Sequence, residues 1–200
     1  MTWFFRVPRL LAVGLVLVCG ACSHPIVIAP DLSQLPRQDG ASKVDKKVGL
    51  HIPRDKRELR VKTPGGGGDN VDYTPYADLE PGLYRTLSNV FSLVVMVDDP
   101  HNSERLKMDG ITYVFTPAIT TTSSSRNIMF WPPTDFSVTI ACTATDSGAS
   151  VVWSSSVAGD GGLIPVSDIL KDFGLAGRRA SANSLLRLES EIRAASIFRK

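Results

Sequence analysis

The chain has 200 residues, 43% of them hydrophobic, with 22 Lys and Arg against 20 Asp and Glu and a formal charge of +2. That surplus equals the charge of Arg6 and Arg9, so the remainder is balanced. A balanced chain without a basic block lacks the cationic footprint that nucleic-acid phosphates require. The length suits one domain with a core of its own.

In chain order, Arg6 and Arg9 precede the apolar run Leu10 to Val18, and the small residues Gly20 and Ala21 lead into Cys22. A positive start, a short apolar stretch and small residues before a cut make an export-signal layout. A membrane-spanning helix needs about 20 apolar residues, and Ser23, His24 and Pro25 interrupt too soon. Residues 1–21 therefore read as a cleaved leader. The residues before Cys22 resemble the bacterial lipobox, whose cysteine receives diacylglycerol; Gly20 and Ala21 match it, and Cys19 stands where Leu is usual. Bulky Leu17 and Val18 make Cys19 a poor acceptor in its own right. The resemblance implies lipidation of Cys22, palmitate included, and with three acyl chains the anchor would be effectively permanent. Cys142 is then left alone, without an intrachain disulfide partner, and its strand-like surroundings predict a small buried hydrophobe.

From Ser23 to Val44 the chain carries Pro25, Pro30 and Pro36 among polar residues, which predicts an extended lipidated tether over 22–44 and a single domain over 45–200. Ile26 to Ile28 is an apolar exception that could pair as an edge strand. Val48, Leu50 and Ile52 alternate as a half-buried strand ended by Pro53. Arg54 to Val61 reads as a second strand or a loop leading to the flexible glycines 65–68. With Asp78 as N-cap, Leu79, Leu83, Leu87, Val90 and Phe91 share one helical face. Ser92 to Val97 suits a buried strand, and Ser103 to Met108, closed by Gly110, a short helix. Ile111 to Thr122, Asp135 to Thr145 and Ser150 to Val157 form an antiparallel meander, its second turn marked by Asp146-Ser147-Gly148. A long amphipathic helix follows over Gly174 to Ala195. The predicted class is α+β: a mixed, largely antiparallel sheet with helices packed on one face.

Chemical signals are sparse. The glycine run lacks the following Lys and Ser or Thr of a phosphate loop. His24, His51 and His101 are far apart in sequence, and no metal-ligand spacing accompanies them, so no metal or other cofactor is expected. Gly-x-Ser-x-Gly is absent and Asp98-Asp99 gives no readable carboxylate pair, so no catalytic residue is assigned. The strongest binding candidate is Ile128, Met129, Phe130 and Trp131, stiffened by Pro132 and Pro133; it is either an exposed contact for a partner or membrane, or a lid folded back over the sheet. Thr120 to Ser125 could pair along a sheet edge.

The order of elements, from Cys22 and Pro25-Ile26-Val27-Ile28-Ala29-Pro30 through Val48 to Ile52, the meander and the final helix, resembles small envelope lipoproteins of the YajG type. The resemblance is one of pattern and carries no catalytic motif. It implies a non-catalytic lipoprotein on the periplasmic face of the outer membrane, an accessory or scaffold in a cell-envelope assembly with an envelope partner or a homo-oligomer. Ser23 and His24 after the cysteine resemble the outer-membrane sorting pattern of enteric bacteria. The alternatives are a small-ligand or glycan-binding module with a groove beside Trp131 and Trp153, and a hydrolase grouping His51 or His101 with Ser and Asp.

Overall fold

Alternating apolar residues build two sheets. The computed structural model describes residues 22–33, 35–36, 43–125, 129–162 and 164–199; the expected leader, 1–21, and Ile128 lie outside them. A small sheet joins β1 (Ser23–Pro25), β4 (Asn70–Tyr73) and β3 (Val61–Pro64) in that spatial order. A five-stranded sheet has the order β5 (Phe91–Met96), β2 (Val44–Leu50), β6 (Tyr113–Ser124), β7 (Asp135–Asp146) and β8 (Val151–Asp160). The pairs β5–β2 and β2–β6 are parallel, whereas β6–β7 and β7–β8 form the expected antiparallel meander. The fold is α+β with mixed pairing.

The two halves of the large sheet are buried differently, as parallel and antiparallel strands generally are. On one face Val48, Leu50, Phe115, Val138, Ile140 and Cys142 enter the main core, covered by α2 (Pro75–Val90) and α5 (Leu175–Ala194). On the other face the parallel half is covered as well: Val114 packs with Leu106 of α3 (Ser103–Met108), Ile111, Val95 and Val97. Helices thus meet both faces of the parallel half rather than one, but the edge strand β5 is not the buried strand expected: it leaves Leu93 50% and Met96 39% exposed, because among the described residues no further strand flanks it there. The antiparallel half leaves Ala118, Thr120, Thr122, Ala141 and Thr143 facing solvent, which explains its alternation of apolar with small or polar residues.

Several boundaries differ from expectation for local reasons. α2 starts at Pro75, a residue preorganised for a first turn, so Thr74 is the N-cap and Asp78 lies inside the helix with Pro81 beyond it. Residues 54–61 hold a short helix, α1 (Arg54–Arg57), before β3. Gly65 to Gly68 close the β3–β4 hairpin, with Gly67 and Gly68 at positive φ. The C-terminal half of β6 is no free edge, because the Ile119 N–H donates to the Tyr76 hydroxyl (3.0 Å) and the Tyr73 hydroxyl donates to Thr121 Oγ1 (2.7 Å). The small sheet covers it there. Among the described residues no helix is long and apolar enough to cross a membrane.

The segment expected as tether also behaves otherwise. Residues 23–25 pair with β4, and Ile26, Ile28, Pro30 and Leu35 are buried in the body. Ile28 is fully buried, its N–H donating to Asp78 Oδ2 at 3.0 Å. Apolar burial outweighs the proline punctuation, since each such side chain gains about 1.5–3 kcal/mol on leaving water.

α5 lies close against β8. A methyl at Gly159 would fall 2.3 Å from the Ala180 carbonyl oxygen and the Ser184 nitrogen, both backbone atoms that cannot rotate away. Across the helix pair, Asn89 Nδ2 donates to Glu189 Oε2 and to the Pro36 carbonyl, each at 2.8 Å, while Arg193 Nε donates to Glu189 Oε1 at 3.0 Å. Gly159→Ala is expected to cost about 2 kcal/mol through overpacking, read as a lower urea midpoint with an unchanged slope.

Candidate functional site

Cys22, the expected lipid acceptor, stands immediately before β1. Cys22 is exposed, and its carbonyl accepts the Asn70 N–H at 2.9 Å, extending the β1–β4 ladder by one bond. The next two side chains pin this end. Ser23 Oγ donates to Asp72 Oδ1 at 3.1 Å, and Asp72 also pairs with Arg60. His24 Nε2 lies 3.1 Å from Asp69 Oδ2. Cys22 is therefore held on the rim of the small sheet.

Beside it the sequence-predicted aromatic segment divides. Trp131 folds back: its ring stacks on His24 with centroids 4.1 Å apart and planes inclined by 18°, and it touches Phe173 at 4.7 Å. Its carbonyl accepts the Gly66 N–H at 2.8 Å, and a Cβ at Gly65 would lie 2.3 Å from the same oxygen, so the hairpin needs glycine there for contact. Pro132 and Pro133 are buried. Met129 is 83% exposed and Phe130 43%. The tip is thus neither wholly lid nor wholly free: Trp131 packs down and its two neighbours stay outside, with Ile128 beyond the described residues.

Other candidates are placed elsewhere. Trp153 packs on Phe115 and Phe198 at centroid distances of 6.2 and 5.6 Å, near the start of β6, whereas Trp131 lies beyond its end, roughly 30 Å along the strand. The two tryptophans do not share a groove. His51 is buried, with Nδ1 2.8 Å from the Val97 carbonyl oxygen, and His101 is exposed on the loop before α3. Among the described residues no three His, Cys, Asp or Glu side chains are grouped to hold a metal. An open hollow of about 480 Å³ lies where Ser124 and Asp135 meet Asp160 and Gly162, and another of about 570 Å³ beside Tyr84, Pro81 and Met96. Burial pushes the Cys142 thiol up to about 12, which suits the predicted buried hydrophobe.

Sequence reasoning missed Asp72 and Phe173 and did not bring His24 together with Asp69 and Trp131. Nothing local marks them, because their neighbours come from strands and turns distant in sequence.

No protein-family model matches the chain, and no curated protein matches it. Among solved structures, a PelC dodecamer from Paraburkholderia phytofirmans has a TM-score of 0.38 and 16% identity over 76% of this chain and 96% of that one. A substituted form of that dodecamer gives 0.38 and 14% over 75% and 94%, and a crystal structure titled as an uncharacterized protein gives 0.37 and 11% over 86% and 99%.

The strap that positions Cys22 has its own pH signature. Burial raises the Asp78 carboxyl above its ordinary range, opposed by its bonds to Ile28 and Thr74 and by Arg178. The folded chain then binds a proton that the unfolded chain has lost, so Asp78 adds stability as pH falls through that raised value and loses it as pH rises. Asp78→Asn should remove this acid-side increment yet keep the Ile28 bond, and Asp78→Ala should cost about 1–3 kcal/mol by orphaning the Ile28 N–H; denaturation midpoints measured from pH 4 to 7 separate the two. Thiol chemistry gives a second check. In a Cys19→Ser, Cys22→Ser chain, Cys142 should resist maleimide at neutral pH until denaturant is added.

Proposed function

We propose that this chain is a non-catalytic lipoprotein resembling the YajG type, anchored through lipid on Cys22 to the periplasmic face of the outer membrane, and that its α+β domain is an accessory or scaffold in a cell-envelope assembly. The observation that carries the proposal is the position of Cys22. It is exposed at the rim of an ordered sheet, immediately after small residues and a short apolar run, while its backbone is fixed by Asn70. A thiol so placed can carry a diacylglycerol without any change in the fold behind it.

The rest of the molecule supports a binding role over chemistry. His51 is engaged with backbone inside the sheet, the isolated Cys142 thiol is buried, and the side chains beside Cys22 are paired with one another. The exposed outer face of β6, β7 and β8 offers Thr, Ser and Ala rather than a cleft, as a surface for assembly would.

Palmitate labelling of cells producing the chain is the direct test. Label should be lost with Cys22→Ser and retained with Cys19→Ser; label surviving Cys22→Ser overturns the anchor. Crosslinking in intact cells, followed by mass spectrometry of what travels with the protein, then reads the partner, and recovery of the monomer alone would overturn the scaffold role.

A further inference from the structure

The fixed position of Cys22 dictates what its neighbours must touch. An acyl anchor on a long tether would leave the domain free of the membrane. Here the Cys22 carbonyl is bonded to Asn70 and the next two residues are already strand, so lipid on Cys22 would bring the rim of the small sheet against the bilayer.

Around that rim stand large apolar side chains that water does not favour. Met129 is 83% exposed, Phe130 43% and Phe173 42%. Trp131 links them to the anchor, stacked on His24 on one side and against Phe173 on the other. Exposed aromatics beside a lipid attachment point have the chemistry of the headgroup region, where an amphipathic ring finds both apolar and polar surroundings. Of the nearby carboxylates, Asp72 is paired with Arg60 and Asp172 with Arg178, and Asp69 Oδ2 lies 3.1 Å from His24 Nε2.

We propose that Met129, Phe130, Trp131 and Phe173 form a membrane-seating surface that enters the headgroup region of the bilayer holding Cys22. The inference rests on the anchor reading above and goes further, because it fixes which side of the domain faces lipid. It also gives the anchor a second, non-covalent attachment of the kind that apolar side chains at an interface provide.

The test uses the full chain carrying Trp3→Phe and Trp153→Phe, so that Trp131 is its sole tryptophan, purified from cells and reconstituted into phosphatidylethanolamine–phosphatidylglycerol vesicles with brominated acyl chains. Mass spectrometry reports lipid on Cys22 independently. Loss of Trp131 emission, greater with bromines near the headgroup than near the chain end, is the expected result. The companion chain with Trp3→Phe and Trp131→Phe, which retains Trp153 at the far end of β6, should keep its emission. A lipidated chain that stays in the vesicles with Trp131 unquenched overturns the seating surface and leaves the anchor standing, with a protein partner or a second copy as the occupant. If Cys22 carries no lipid, the anchor reading has failed. Its thiol, in a Cys19→Ser background, is then coupled to a maleimide lipid, and unquenched Trp131 in that arm overturns the surface too. Phe130→Ser with Phe173→Ser should abolish quenching without releasing the lipidated chain, and an unchanged melting temperature shows that the fold has survived.

Discussion

The structure depends on one strap, residues 22–30, and on the burial of Ile28 within it. Ile28 is inaccessible to solvent, lies against α5 and donates its N–H to Asp78 inside α2. That position ties the beginning of the described chain to both large helices. Upstream, Ile26 donates its N–H to the Asp72 carbonyl at 3.0 Å and continues the β1–β4 pairing to Cys22. A backbone bonded at each of these points has little freedom, and the exposed cysteine at its end inherits that rigidity.

The small sheet is a consequence of this strap. Two strands of four residues, β3 and β4, would make a hairpin of marginal stability alone. Adding β1 on one side gives a third strand, and the Thr63, Tyr73 and Ser123 hydroxyls join the hairpin to β6, with Thr63 Oγ1 2.6 Å from Ser123 Oγ. These hydroxyls would be costly to bury singly and are satisfied as a group. They explain why the Thr- and Ser-rich end of β6, which has little to contribute to an apolar core, is nonetheless covered.

What the sequence disclosed followed periodicity. α5 lies where its apolar stripe puts it and α3 where Gly110 closes it, and the meander register follows from alternation in β7, where Phe136, Val138, Ile140, Cys142 and Ala144 all point inward. Hidden features came from contacts between residues distant in the chain. The prolines at 25, 30 and 36 resemble linker punctuation, yet Pro30 and the adjacent isoleucines are core residues; parallel pairing with β4, some forty-five residues away, leaves no local trace. Asp78 met every local criterion for an N-cap, but Pro75 opened the helix a turn earlier and freed the carboxylate to hold the strap. Phe198 lies beyond the last periodic stripe and still fills the space between Phe91, Phe115 and Trp153.

Rigidity at Cys22 changes what an anchor can do. A flexible tether of some twenty residues would let a domain explore about 60–70 Å from the membrane in any orientation. A strap that is part of the sheet allows no such search, so with the proposed lipid on Cys22 attachment and orientation would be one event. The outer face of β6, β7 and β8 and the helical face of α5 would then hold set angles to the membrane plane. Every copy so anchored would present the same surface away from the bilayer. For the scaffold role proposed above this would be a gain, because partners would meet a defined geometry and lose less orientational freedom on binding. The ordering entropy of residues 23–30 has already been met by the burial of Ile26, Ile28 and Pro30 when the domain folds.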